Sequence, residues 1–307
     1  MMTPHAEYED KELKMGKDIL SIKDLNKNEI KKIFKLTDLL KNKRKNILEG
    51  KNIALVFTKP STRTRVSFEV AINHLGGNAI YLDMITSQLG RGEAISDTAK
   101  VLGRYVDGIV ARLFSHRDML ELAENSPVPV INALDDLFHP CQVLSDMYTV
   151  KKKLGKFSGL KLVFLGDGGS NVCHSLMYAC SKFGLEMIVS CPRRYSPGKK
   201  ILREANAKIV SNPKKAVEGA DIIYTDTWVS MGKEREKRSR IKELKPYQVN
   251  KNIVSLAKPH VMIMHDLPAY RDMEITNDVM DGPRSIIFDQ AENRLHTAKG
   301  ILAFLLG

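Results

Sequence analysis

Short runs of apolar and β-branched residues alternate along the chain with stretches of helical periodicity, which is the pattern of parallel α/β architecture. In the first half these runs predict strands at 52–57, 79–82, 108–111 and 129–132. Apolar positions three and four apart predict helices at 61–75, 95–105 and 117–123, and a long amphipathic helix at 139–154 leaves this unit. The pattern then restarts with a strand at 161–165, a helix at 172–183 and a strand at 187–190. Helices near 199–205 and 213–218 flank a weak strand at 208–210; strands at 221–225 and 261–264 follow, then a closing helix at 290–306. That helix ends in Ile301, Leu302, Phe304, Leu305 and Leu306, so it must be buried, against the other domain. The expected fold class is α/β, with two parallel-sheet domains and an active-site cleft between them, because open α/β sheets bind ligands at strand C-terminal ends.

A length of 307 residues fits two domains of ~150 residues each. With 43% hydrophobic and 27% charged residues the chain is not largely disordered. No run reaches the ~18–20 apolar residues of a membrane span. The N-terminus has no apolar h-region, and Glu7, Glu9, Asp10 and Glu12 argue against a transit peptide, so a soluble cytoplasmic protein is expected. The 48 Lys and Arg against 36 Asp and Glu leave a net charge of +12, which attracts nucleic acids, acidic headgroups and phosphorylated small molecules alike. The basic runs at 41–45, 151–153 and 233–240 read as solvated helix faces; one Trp and no interleaved aromatics make nucleic acid a minor alternative. Cys141, Cys173, Cys180 and Cys191 form no CxxC pair, which suggests neither a disulfide framework nor zinc.

The strongest chemical signal is Phe57-Thr58-Lys59-Pro60-Ser61-Thr62-Arg63-Thr64-Arg65, between a strand and a helix. Pro60 ends the ladder, Ser61 is a good N-cap, and a helix N-terminus offers unpaired N–H groups to an anion. Ser61, Thr62 and Thr64 add hydroxyls and Arg63 can clamp two oxygens, so the loop suits a phosphate without matching the nucleotide P-loop pattern. His139 and Gln142 are three apart at the mouth of the central helix and can converge on one ligand. Arg112 ends the strand GIVAR, where such sheets place functional groups. The glycine turn Gly166-Asp167-Gly168-Gly169-Ser170-Asn171 invites a dinucleotide reading, yet GxGxxG is not met and no acid for a ribose follows. Two further turns, from Asp226 to Gly232 and from His265 to Pro268, end strands at the same sheet edge.

Together these segments resemble the aspartate/ornithine transcarbamylase family, in its ornithine branch, from about Gly16 to Gly307. Ser-Thr-Arg-Thr-Arg and His-Pro-x-Gln are the family's carbamoyl phosphate motifs; Asp-x-x-x-Ser-Met-Gly and Phe288-Asp289-Gln290-Ala291-Glu292-Asn293-Arg294 are typical of the ornithine branch. The resemblance implies transfer of the carbamoyl group of carbamoyl phosphate to the δ-amine of L-ornithine, giving citrulline in arginine metabolism. It implies carbamoyl phosphate binding by Ser61, Thr62, Arg63, Thr64, Arg112, His139, Gln142, Asp266, Leu267 and Arg294, with Arg112, His139, Gln142 and Asp266 catalytic. Ornithine would meet Asn171, Asp226, Ser230 and Met231. Neither metal nor organic cofactor is implied. Gln88 matches a residue that completes a neighbouring subunit's site, which implies a trimer or an assembly of trimers. The expected domains are 1–137 for carbamoyl phosphate, 138–288 for ornithine, and a helix at 289–307 returning to the first.

One position departs from the pattern: the ornithine branch usually has His-Cys-Leu-Pro, whereas this chain has His265-Asp266-Leu267-Pro268. Asp266 leaves room for another amine acceptor, such as a diamine or a modified ornithine. A nucleotide-cofactor oxidoreductase and a basic nucleic-acid-binding module are the alternatives outside the class.

Overall fold

The structure is a computed structural model and describes residues 16–83 and 92–307. The first sheet contains β1 (Asn52–Phe57), β2 (Asn78–Asp83), β3 (Gly108–Arg112) and β4 (Val130–Leu134), all parallel, in the order β2-β1-β3-β4. The second contains β5 (Lys161–Leu165), β6 (Glu186–Ser190), β7 (Lys208–Ile209), β8 (Ile222–Thr225) and β9 (Met262–His265), again parallel, in the order β7-β6-β5-β8-β9. The strands β3, β4, β8 and β9 are buried along their whole length, as sheets covered on both faces require. This is why they read as unbroken apolar runs rather than as alternations.

Helices fill the crossovers: α1 (Lys27–Leu40), α2 (Thr62–His74), α3 (Ile95–Leu102), α4 (His116–Asn125), α5 (Pro140–Leu154), α6 (Asn171–Phe183), α7 (Lys199–Ala205), α8 (Pro213–Val217), α9 (Lys237–Leu244), α10 (Lys251–Val254), α11 (Asn277–Met280) and α12 (Ile287–Leu306). The strand at 52–57 and that at 161–165 match the sequence reading at both ends, and most other predicted elements shift by one to three residues. Helix α1 was not foreseen. Its signal lay in Asn26 and Glu29, which form a capping box, and in the buried Ile30, Ile33, Phe34, Thr37 and Leu40 at helical spacing. Lys27, Lys31, Lys32 and Lys35 stand between those positions and make the segment polar on average.

Helix α5 links the two sheets and is buried from Pro140 to Val150. Helix α12 packs on α1, α2 and α5, so the end of the chain lies against elements from its beginning. Gly300 lets α12 approach α1 closely: a Cβ there would collide with Thr37 Oγ1 and lie 2.8 Å from the Ile33 carbonyl oxygen. Lys299 is 1% exposed beside it and donates to the carbonyls of Leu40, Lys41 and Lys43, capping the end of α1. One apolar cluster runs from Phe34 and Phe57 through Tyr148 to Phe164 and Tyr224, so both sheets share a core. Among the described residues no helix is long and apolar enough to cross a membrane.

Sheet order fixes where a ligand can sit. The strand order of the first sheet reverses between β1 and β3, and that of the second between β5 and β8. Crevices at such switch points, outside the strand C-terminal ends, are the ligand sites of open α/β sheets. The four strands end at Phe57, Arg112, Leu165 and Thr225, directly before the motifs singled out in the sequence.

Candidate active site

A cleft of about 440 Å³ lies where those strand ends converge. Its lining includes Ser61, Thr62, Arg63, Thr64, Arg112, His139, Asn171, Asp226, Ser230, Met231, Asp266, Leu267 and Arg294. Of the expected site residues, Gln142 lies behind this wall and Gln88 lies outside the described residues.

On one wall, Ser61 caps α2 with an extended backbone, and its Oγ accepts from the Thr64 N–H at 3.3 Å. The first turn of α2 lines the cleft, and a helix N-terminus brings unpaired N–H groups and the positive end of its dipole. Arg112 is fixed by its own strand end: its Nε donates to the Lys59 carbonyl at 3.1 Å, while its carbonyl accepts from Thr58 N–H at 3.0 Å. Burial, with Arg294 and Arg63 nearby, pushes the Arg112 guanidinium down to about 9 although Asp266 opposes the shift. It is still a cation at neutral pH.

Arg294 reaches in from α12. Its Nη2 donates to Thr64 Oγ1 at 3.1 Å and its Nη1 to the Gln142 side-chain oxygen. The Gln142 amide in turn donates to Asp146 at 2.8 Å, and Asp146 also accepts from Gln290 Nε2 and the Tyr224 hydroxyl. Desolvation pushes Asp146 up to about 7 against those three hydrogen bonds. Gln142 therefore orients an arginine of the site and does not itself face the cleft; its side chain is drawn behind the wall because its two polar ends pair with Arg294 and Asp146.

His139 precedes Pro140 at the start of α5, and its backbone N–H donates to Ser175 Oγ at 2.8 Å. Burial, then the Arg294, Arg112 and Lys59 charges, hold its pKa well below the usual histidine value. The ring is neutral, and Nδ1 has no partner among the described residues. A neutral imidazole amid three cations can only donate to or accept from a ligand, not repel one.

The opposite wall is acidic. Asp226, Asp266 and His265 place one ligand atom each within 4.8 Å of one another. Burial and the facing Asp266 charge raise Asp226 well above the usual carboxylate range, and its carboxyl is hydrogen-bonded to Asp266. Burial works against the Asp266 charge too, but His265, Asp226 and Arg294 outweigh it and hold Asp266 below its usual value. The pair therefore carries one proton, on Asp226, and one negative charge, on Asp266. His265 Nε2 lies 3.2 Å from Glu274, and Leu267 N–H donates to His265 Nδ1 at 2.9 Å. Leu267 holds a left-handed φ of 60°, a conformation costing a residue with a side chain about 1–2 kcal/mol.

Asn171 opens α6, and its Nδ2 donates to the Asp135 carbonyl, joining the two walls. Sequence reasoning passed over Lys59, Asp136, Lys233 and Tyr270, which also line the cleft. Lys59 sat in plain view inside the phosphate motif. Lys233 belonged to a run read as solvated, and spacing gave no signal for Tyr270.

Comparisons with known proteins agree along nearly the whole chain. A model of the carbamoyl-P binding domain of aspartate/ornithine carbamoyltransferases matches residues 17–152, and one of their Asp/Orn binding domain matches 158–305. Ornithine carbamoyltransferase of Pyrococcus horikoshii is 49% identical, over 95% of this chain and 96% of that protein. The anabolic ornithine carbamoyltransferase of Pyrococcus furiosus is also 49% identical, over 95% and 97%. The solved structure of the P. furiosus ornithine carbamoyltransferase superposes with a TM-score of 0.90 at 48% identity, covering 95% of this chain and 97% of that one. That of the Thermus thermophilus enzyme gives 0.89 at 41%, covering 94% and 99%.

Proposed function

The chain belongs to the aspartate/ornithine carbamoyltransferase family, and from that premise we propose that it carries the carbamoyl group of carbamoyl phosphate to the δ-amine of L-ornithine. The products are L-citrulline and phosphate. The observation that carries this reading is the polarity of the cleft: Arg63, Arg112 and Arg294 line it together with the acidic pair Asp226 and Asp266. A dianionic phosphate and a cationic amine acceptor have opposite needs, and this cleft meets both.

The phosphate takes the N-terminal turn of α2, with the hydroxyls of Ser61, Thr62 and Thr64 and the guanidinium of Arg63. Arg112 and His139 donate to the carbonyl oxygen; Arg294, steadied by Gln142, faces the same group. Asn171, Asp226, Ser230 and Met231 hold the amino-acid end of ornithine, Asp226 at its α-ammonium and Asn171 at its α-carboxylate, and Asp266 faces its side-chain ammonium. The ammonium must lose a proton before it can attack, and Asp266 is the charged base at hand; the second proton, shed by the nitrogen once the C–N bond has formed, goes to the departing phosphate. The amine then attacks the carbonyl carbon, charge gathers on its oxygen, the C–O bond to phosphate breaks, and phosphate leaves with the electron pair. Preorganised donors are most effective where that charge develops.

The same reading includes a trimer or an assembly of trimers in the cytoplasm, with Gln88 entering a neighbour's site. Two observations support assembly: β2 is an edge strand, and Ile80 on it and Val66 on α2 are exposed apolar residues. Asp266 favours one second reading, a diamine acceptor, since an extra carboxylate suits a second cation. An acceptor panel of ornithine, putrescine, lysine, aspartate and acetylornithine tests both. Turnover with ornithine at least tenfold above the others supports the first; putrescine leading supports the second.

A further inference from the structure

The run at 233–240 is exposed or half-exposed until its last residue, Arg240, which is only 2% exposed. A guanidinium is buried at that depth only when its donors are paired. Arg240 lies on α9 and reaches back beneath the loop that follows β8. Its Nε donates to the Trp228 carbonyl and its Nη2 pairs with Asp167, itself 4% exposed. Its guanidinium also lies 4.8 Å from the centre of the Tyr195 ring.

Both partners belong to segments that carry residues of the amino-acid side. Asp167 sits in the turn after β5, where its Oδ1 accepts from Gly169 N–H at 3.0 Å and its carbonyl accepts from Ser170 N–H at 3.1 Å. That turn delivers Asn171 at the start of α6. Trp228 lies between Asp226 and Ser230 and is fully buried. Gly166 packs against it so closely that a Cβ would lie 3.4 Å from the Trp228 indole nitrogen. Arg240 thus ties the start of the excursion to its end and ties both to the glycine turn, while Ser230 and Met231 stand at its tip. Lys233, from the same excursion, approaches Asp167 to 3.6 Å.

We propose that Arg240 and Asp167 are positioning residues for the amino-acid acceptor: they form a clasp that holds the loop bearing Asp226, Ser230 and Met231 in register with Asn171. The inference rests on the proposed reaction with ornithine. It predicts a loss confined to one substrate. A loop that must be ordered anew at each binding event weakens acceptor binding, whereas the carbamoyl phosphate wall is held by separate contacts through Arg112, Arg294 and Thr64.

The test compares Arg240→Gln, Asp167→Asn and the double variant Asp167→Asn/Arg240→Gln with the wild type. The double variant leaves no bare buried charge, so it keeps the comparison open where a single variant fails to fold. Asp221→Asn serves as a structural control: Asp221 is also buried and ion-paired, with Lys258, but stands at the opposite end of β8 from the cleft. The clasp predicts an ornithine KM raised about 10- to 100-fold, losses in the double variant smaller than the product of the singles, and carbamoyl phosphate affinity within twofold by calorimetry. Asp221→Asn lowers thermal stability with both substrate constants unchanged. Folded clasp variants with an ornithine KM within twofold of wild type overturn the proposal, as does an equal loss for both substrates. A wild type that makes no citrulline overturns instead the reaction on which it rests.

Discussion

Arg294 Nη2 donates to Thr64 Oγ1 at 3.1 Å, joining residues 230 positions apart in the sequence. The contact pins the last helix to the first turn of α2, and Gln142 holds the same guanidinium from the other side. Arg294→Lys keeps the charge but cannot keep both contacts, because an ammonium lacks the planar fork. A fall of about 10²-fold in kcat/KM for carbamoyl phosphate is expected, with Gln142→Ala reproducing part of it. Steady-state kinetics on both variants check this; an Arg294→Lys enzyme within threefold of wild type removes the fork from the account.

The carboxylate pair predicts a pH effect with a definite sign. Asp266 is held below its usual value, so the negative charge facing the amine is present above that lowered pKa and is lost only as the pH falls through it. In Asp266→Cys the buried thiol is neutral, like Cys141, which burial pushes up to about 12. The charge then falls to Asp226, on which burial, the largest cause of its raised pKa, still acts. The acid limb of kcat/KM for ornithine should therefore move to higher pH in the variant. Superimposable profiles with unchanged ornithine affinity would leave Asp266 a turn-capping role.

Assembly can be examined by mixing. If Gln88 completes a neighbour's site, inactive Arg63→Ala and Gln88→Ala chains should recover activity after joint dissociation and reassembly. Some mixed trimers then contain a site with neither substitution. Trimers confirmed by mass but without activity argue against a shared site.

Helix propensity and packing disagree at Gly300. Alanine is preferred within a helix by ~1 kcal/mol, yet its Cβ would meet Thr37 and lie 2.8 Å from the backbone oxygen of Ile33. Backbone cannot swing aside as a side chain does, so packing wins. Gly300→Ala should destabilise by about 1–3 kcal/mol in a denaturant midpoint. A gain in stability would show that α1 and α12 separate more readily than their packing suggests.

Which parts could be read from the chain follows from how local the causes are. Strands such as β1 and β5 are legible because burial on both faces leaves continuous apolar runs ended by Thr58 and Gly166. The phosphate loop is legible because cap, hydroxyls and arginines are contiguous. Gln142 could not be placed by spacing: its direction is set by Arg294 and Asp146, one of them 152 residues away. Arg240 was hidden for the same reason, since the partner that buries it, Asp167, lies 73 residues earlier. The shared proton of Asp226 and Asp266 depends on two strand ends meeting, which only the sheet order reveals.

The central claim is tested most directly by following carbonyl-13C carbamoyl phosphate with purified protein and L-ornithine by NMR, alongside Arg63→Ala. The account predicts that label appears in the ureido carbon of citrulline with stoichiometric phosphate. It also predicts a rate about 10²–10⁴-fold lower in a variant that still folds as the wild type does. Label released only as cyanate or carbamate, at the same rate with and without ornithine, would contradict it.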